Sequence, residues 1–219
     1  MIGLLLLHVL VLARPAAVRP VQPSPAELAR SVQQRYDRVK DFTADFTHTY
    51  EGGVLKKKTT ERGVVQIKKP GRMRWEYTSP EKKLFVSDGT KIYSYIPADK
   101  QVIISPMPAD SETTAVLFLS GKGDITRDFT VSASSDTAVG PDDYALRLDP
   151  KQKQRDYDWL VLIVNRTTLQ IHGLVAGDQQ GGRSTFTFEH YRDNVGIPDS
   201  VFAFKIPRGT DVITTGSGR

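Results

Sequence analysis

The stretch VVQIKKPGRMRWEYTSP, residues 64–80, decides the fold. It alternates like a strand, pauses at Lys69, Pro70 and Gly71, and resumes with Met73, Trp75 and Tyr77 at every second position. Successive side chains on a strand point to opposite faces, so these three share one side while Arg72, Arg74 and Glu76 take the other. If the register survives the pause, Lys69 joins the apolar side. A broad apolar face with one amine at its rim suits either a sheet core or the wall of an apolar hollow, and both readings stay open at this point.

Working outward, the same period of two recurs on both flanks. Phe42, Ala44, Phe46, His48 and Tyr50 alternate with Thr43, Asp45, Thr47 and Thr49, and Glu51-Gly52-Gly53 turns the chain into the next strand. Beyond residue 80, Leu84-Phe85-Val86 runs into Ser87-Asp88-Gly89, a tight hairpin signal, and residues 91–96 and 101–104 form another hairpin around Pro97-Ala98-Asp99-Lys100. Connections this short predict antiparallel neighbours. Further strands are predicted at 129–132, 144–148, 159–164, 169–177 and 183–191, with Phe202 and Phe204 leading to Ile206-Pro207. Roughly ten strands make a sheet large enough to curl.

Two helices interrupt this pattern. Ser24-Pro25-Ala26-Glu27 is a capping box with proline at the first helical position. Leu28, Val32, Tyr36 and Val39 then form one apolar stripe on a helix reaching about Lys40. The second helix is predicted over 113–119, capped by Asp110 or Ser111 and stopped by Gly121. It is apolar nearly all round from Ala115 to Leu119, so it must lie against apolar surface on more than one side. A curled sheet with only two helices to fill its concave face suggests a hollow.

At the N-terminus, MIGLLLLHVLVLA (1–13) is too short to span a bilayer, which needs about 20 residues. It reads as a secretory signal peptide, followed by a Pro-rich linker over 14–23, a single domain over 24–213 and a disordered tail over 214–219. The 219-residue chain carries a net charge of +5 and no cysteine, which excludes disulfides, thiol catalysis and a lipid-modified N-terminal Cys. Its compact lysine runs, 56–58, 68–69 and 82–83, read as solvated strand edges.

Signals for chemistry are poor. His48, His172 and His190 stand apart from one another, with no metal-ligand spacing, and no nucleophile elbow or phosphate-cradling loop is present. Asp156 and Asp158 leave an envelope hydrolase as a distant alternative. The arginines and aromatics around Trp75 point to opposite faces, whereas base stacking beside phosphate wants them on one surface, so nucleic acid is not an expected partner. No catalytic residue, metal or cofactor is expected.

Residues 65–77, followed by Pro80 and by Val86-Ser87-Asp88-Gly89, resemble the signature of the periplasmic outer-membrane lipoprotein carrier family, LolA. Residues 38–47 resemble that family's helix-to-strand junction, and 202–212 its closing segment, so the resemblance covers 24 to about 212. It implies an incompletely closed antiparallel β-barrel with a helical lid over a hydrophobic cavity. The implied function is a periplasmic chaperone that takes acylated lipoproteins from an inner-membrane lipoprotein-releasing ABC transporter, passes them in many bacteria to an outer-membrane lipoprotein receptor, and acts as a monomer. A lipid-binding or lipid-sensing envelope protein of the same fold is the nearest alternative. In this setting Phe42, Phe46, Met73, Trp75 and Tyr77 are expected to line the sheet side of the acyl-chain cavity, and Leu28, Val32, Leu117 and Phe118 the lid side. The family usually carries arginine where this chain has Lys69, at a position that bonds lid carbonyls and holds the empty form shut. Lysine can donate to a carbonyl but lacks the planar fork that reaches two at once, and Arg72 competes for the role.

Overall fold

Short connectors and two-residue alternation build one sheet. The computed structural model describes residues 22–108, 119–121, 123–134 and 140–216. The expected signal peptide, most of the linker and all but Leu119 of the helix predicted over 113–119 lie outside these residues. In order along the chain come α1 (Pro25–Asp37), β1 (Asp41–Glu51), β2 (Lys58–Lys68), β3 (Arg72–Ser79), β4 (Lys83–Asp88), β5 (Lys91–Ile96) and β6 (Gln101–Pro106). A one-turn α2 (Ile125–Asp128) then precedes β7 (Phe129–Ala133), β8 (Asp143–Pro150), β9 (Trp159–Asn165), β10 (Ile171–Gly177), β11 (Arg183–Asp193) and β12 (Asp211–Thr214).

The spatial order is β12-β6-β5-β4-β3-β2-β1-β11-β10-β9-β8-β7. Two meanders, β1 to β6 and β7 to β11, therefore lie side by side, joined where β1 pairs antiparallel with β11. Each hairpin follows from a connector too short for anything but an antiparallel return. Among the described residues β7 and β12 form opposite edges of the sheet with no pairing between them.

Several expectations need correction. The sheet is mixed, because β12 pairs parallel with β6. The chain reaches that edge from β11 through a 3-10 turn at Asp199–Phe202. The tail begins later than expected, since Thr214 belongs to β12 and the Thr215 N–H donates to the Ile104 carbonyl at 2.9 Å. The lysine runs at 56–58, 68–69 and 82–83 do not guard edges, because β1, β2, β3 and β4 are all interior strands. The helix α2, capped by the Asp124 carboxylate on the Thr126 and Arg127 N–H groups at 2.8 and 2.7 Å, is an element the apolar period did not reveal.

The capping box behaves as the sequence reading requires. Ser24 Oγ accepts from the Glu27 N–H at 3.3 Å, and Glu27 accepts from the Ser24 N–H at 2.9 Å. Leu28, Ala29, Val32 and Tyr36 form the buried stripe of α1. That stripe joins the inner face of the sheet in one apolar cluster, while α1 itself packs chiefly on α2, β7 and β8. A second, smaller cluster of Val161, Ile163 and Val175 lies apart from it, so β9 and β10 read as nearly continuous apolar runs and bury both faces.

Candidate functional site

The inner face of β1 to β3 is assembled by alternation and register. In β2 and β3, Val65 stands opposite Trp75 and Ile67 opposite Met73, which sets four apolar side chains on one face of the pair. Gly63 lies opposite Tyr77, and a Cβ there would meet the Glu76 carbonyl at 2.0 Å and Phe46 Cε1 at 2.9 Å, so glycine is what allows the ring of Phe46 to lie over this strand. Phe46 meets Trp75 and Tyr77 edge-on, with ring centroids 5.0 and 4.8 Å apart, and Trp75 meets Phe186 at 5.4 Å. Phe42 stacks on Tyr191 at 4.9 Å. On the opposite face Arg74 pairs with Glu76 at 3.0 Å.

Leu28, Val32, Phe42, Phe46, Met73, Trp75 and Tyr77 all fall in the one buried cluster. Leu117 and Phe118 lie outside the described residues. The cluster also contains Tyr36, Leu119, Phe186 and Phe188, which the list of candidate wall residues omitted although the helical stripe and the shared face of β11 pointed to three of them. Burial pushes the Tyr77 and Tyr36 hydroxyls well above the ordinary phenol range, and burial lowers the His48 imidazole against the opposing pull of Glu61. The Trp75 indole N–H, on a residue only 2% exposed, has no hydrogen-bond partner among the described residues, and an unmet buried donor costs about 1–3 kcal/mol.

Lys69 sits where α1, the turn into β3 and residues 119–121 meet. Its ammonium donates to the Tyr36 carbonyl in the last turn of α1 and lies 3.9 Å from the centre of the Tyr36 ring. The Tyr36 hydroxyl in turn donates to the Leu119 carbonyl, and the Gly71 N–H donates to Ser120 O at 2.9 Å. Gly121, at φ 80°, lies against the Lys69 stem; a Cβ there would come within 2.6 Å of Lys69 Cδ. Arg72 does not compete for this position, because its guanidinium faces Asp199 at 3.6 Å, beside the Lys68–Asp199 pair at 2.6 Å. A hollow of about 440 Å³ opens beside this junction, and another of about 280 Å³ lies at the start of α1 against Tyr144 and Leu146.

Burial pushes the Lys69 amine down from 10.5 to about 8, opposed by the Asp37 carboxylate. Below pH 8 the amine is charged both folded and unfolded, and its desolvation cost is constant. Between pH 8 and 10.5 the unfolded chain holds the proton more tightly, so this group's contribution to stability rises with pH across that window. The urea midpoint of the wild-type chain minus that of Lys69→Met is therefore expected to increase from pH 8 to pH 10. A flat difference would mean that the amine titrates as if in water.

The model of the outer membrane lipoprotein carrier protein LolA family matches residues 37–205. The chain belongs to that family. The outer-membrane lipoprotein carrier protein of Chromohalobacter salexigens is 31% identical over 181 residues, covering 82% of this chain and 83% of that one. The corresponding protein of Pseudomonas fluorescens is also 31% identical and covers 97% of this chain and 98% of its own length. An uncharacterized conserved protein from Thermus thermophilus shares the fold, with a TM-score of 0.55 at 11% identity over 85% of this chain and 99% of that one. The LolA match spans strands β1 to β11 and includes Lys69, but begins one residue after Tyr36.

Proposed function

We propose that this chain is a periplasmic lipoprotein carrier. Its 24–213 unit takes the acyl chains of a lipoprotein into the hollow of an incompletely closed sheet and shuttles them from the inner to the outer membrane. The observation that supports this most is the continuous apolar cluster that runs from the inner face of β1, β2, β3 and β11 to the buried stripe of α1. Acyl chains need such a surface, because exposing them to water costs about 0.8 kcal/mol per methylene, or on the order of 36 kcal/mol for three chains of about fifteen methylenes. In this reading Phe42, Phe46, Met73, Trp75 and Tyr77 form the sheet wall, and Leu28 and Val32 the helix wall. The Trp75 N–H suits such a wall, since an acyl ester offers it the acceptor it lacks among the described residues. Lys69 is the latch, holding α1 through one carbonyl, where an arginine could hold two.

The partners follow from the same reading. Cargo comes from an inner-membrane lipoprotein-releasing ABC transporter and goes to an outer-membrane receptor, with the carrier acting as a monomer. Depleting the protein from its bacterium, then fractionating the membranes, tests this directly. Lipoproteins are expected to accumulate at the inner membrane; unchanged delivery to the outer membrane would overturn the reading. Native mass spectrometry of the periplasmic protein should show bound lipoprotein, and free lipid alone would point to a sensor instead.

A further inference from the structure

At the far end of β1 from the Lys69 junction, six residues (52–57) project beyond the last ladder pair, Glu51 with Lys58. Their apex carries Val54 and Leu55, 86% and 85% exposed, against 49% for Val195, the next most exposed large hydrophobic residue described. Apolar side chains that protrude this far are unusual at a turn, where glycine, asparagine and aspartate belong. The conformation is nonetheless built. Gly52 accepts from the Lys56 N–H at 3.1 Å and donates to the Lys57 carbonyl at 3.0 Å. Gly53 lies so close to the β10–β11 turn that a Cβ would meet the Gln180 carbonyl at 2.0 Å. Tyr50 ties the same two hairpins together through Asp178, at 3.1 Å.

Three lysines, 56 to 58, follow the apolar pair directly. Of the carboxylates at this end, Glu51 stands 4.0 Å from Lys56, and Asp178 is engaged by Tyr50 and by the Gly182 N–H at 2.7 Å. Since β1 and β2 are interior strands flanked by β11 and β3, the lysines have no sheet edge to protect.

We propose that this hairpin tip is a membrane-contact finger, whose Val54 and Leu55 dip into the surface of an anionic bilayer while Lys56, Lys57 and Lys58 bind its phosphates. Two aliphatic side chains on a convex apex suit the headgroup boundary of a bilayer, which needs no matching pocket. Lysine ammonium groups reach the phosphate layer while their stems stay in the apolar zone. The finger shares no residue with the buried cluster and does not rest on the carrier reading.

The chain has no cysteine, so Leu55→Cys carries a single environment-sensitive NBD fluorophore on the full-length protein. Its emission is expected to rise severalfold and shift to the blue with vesicles of phosphatidylcholine doped with phosphatidylglycerol. Phosphatidylcholine alone should produce neither change, and added salt should reverse both. The same probe at Val195→Cys should stay water-like. In co-sedimentation, Val54→Ser with Leu55→Ser should weaken binding about tenfold, and changing the three lysines to glutamine roughly a hundredfold. Met73→Glu, which strikes the cargo wall, should leave vesicle binding unchanged, so the finger and the carrier reading fail separately. A water-like probe at position 55, equal binding by the tip variants, or no vesicle binding at all would overturn the proposal; capture of an acidic protein by the tip without vesicle binding would overturn it too.

Discussion

Replacing Met73 by glutamate is expected to abolish lipoprotein capture while leaving a cooperative urea transition in place. Met73 is 4% exposed and stands opposite Ile67 on the inner face. A carboxylate sealed there without a partner would cost several kcal/mol, a large share of the about 5–15 kcal/mol that holds a domain together. If this face lines a hollow that water enters between cargoes, as proposed, the carboxylate is hydrated instead and the fold survives. The same charge then spoils the apolar wall for an acyl chain. Far-UV circular dichroism in urea and a pull-down of acylated cargo read the two effects separately. A Met73→Glu chain that is unfolded in buffer would make the residue part of a solid core and remove it from the cargo wall.

Phe46→Ala is expected to act in the opposite sense, lowering unfolding free energy by about 3–5 kcal/mol. Phe46 sits at the centre of the ring packing, edge-on to both Trp75 and Tyr77 and close over Gly63. Edge-to-face pairs of this kind add about 0.5–1.5 kcal/mol each beyond the area they bury. The loss should appear as an earlier urea midpoint and a weakened near-ultraviolet signal from Trp75. A change below about 1 kcal/mol would show that the rings relax freely around the gap and that Phe46 does not hold the ring packing together.

The hairpins were legible because alternation and short turns leave one solution. Residues 64–80 needed nothing beyond their own period to set Met73, Trp75 and Tyr77 inward. What escaped the sequence depends on distant partners. The parallel return of β12 comes after a connection with no pairing signal of its own, and α2 is too short to show a helical period. The lysine runs suggest edges because strand order is not written in any one strand; only the pairing of β1 with β11 shows that this end of the first meander is not an edge. Lys69 was legible as an amine at the rim, but its acceptor, a backbone carbonyl 33 residues earlier, has no side-chain signature. The choice of lysine also carries a consequence, since an arginine there would not shed its proton near pH 8.

The unpaired edges β7 and β12 bear on how one protein could serve unlike cargoes. A closed barrel has its girth set by strand number and stagger, and widening it means breaking a ladder. Here twelve strands are hydrogen-bonded in a row and, among the described residues, the two end strands do not pair with each other. Changing the curvature of such a sheet rotates strands about intact hydrogen bonds, so its bore can vary while its backbone bonding stays constant. In the carrier reading proposed above, capacity becomes a matter of bending, and a bulkier set of acyl chains would be met by a wider separation of β7 and β12.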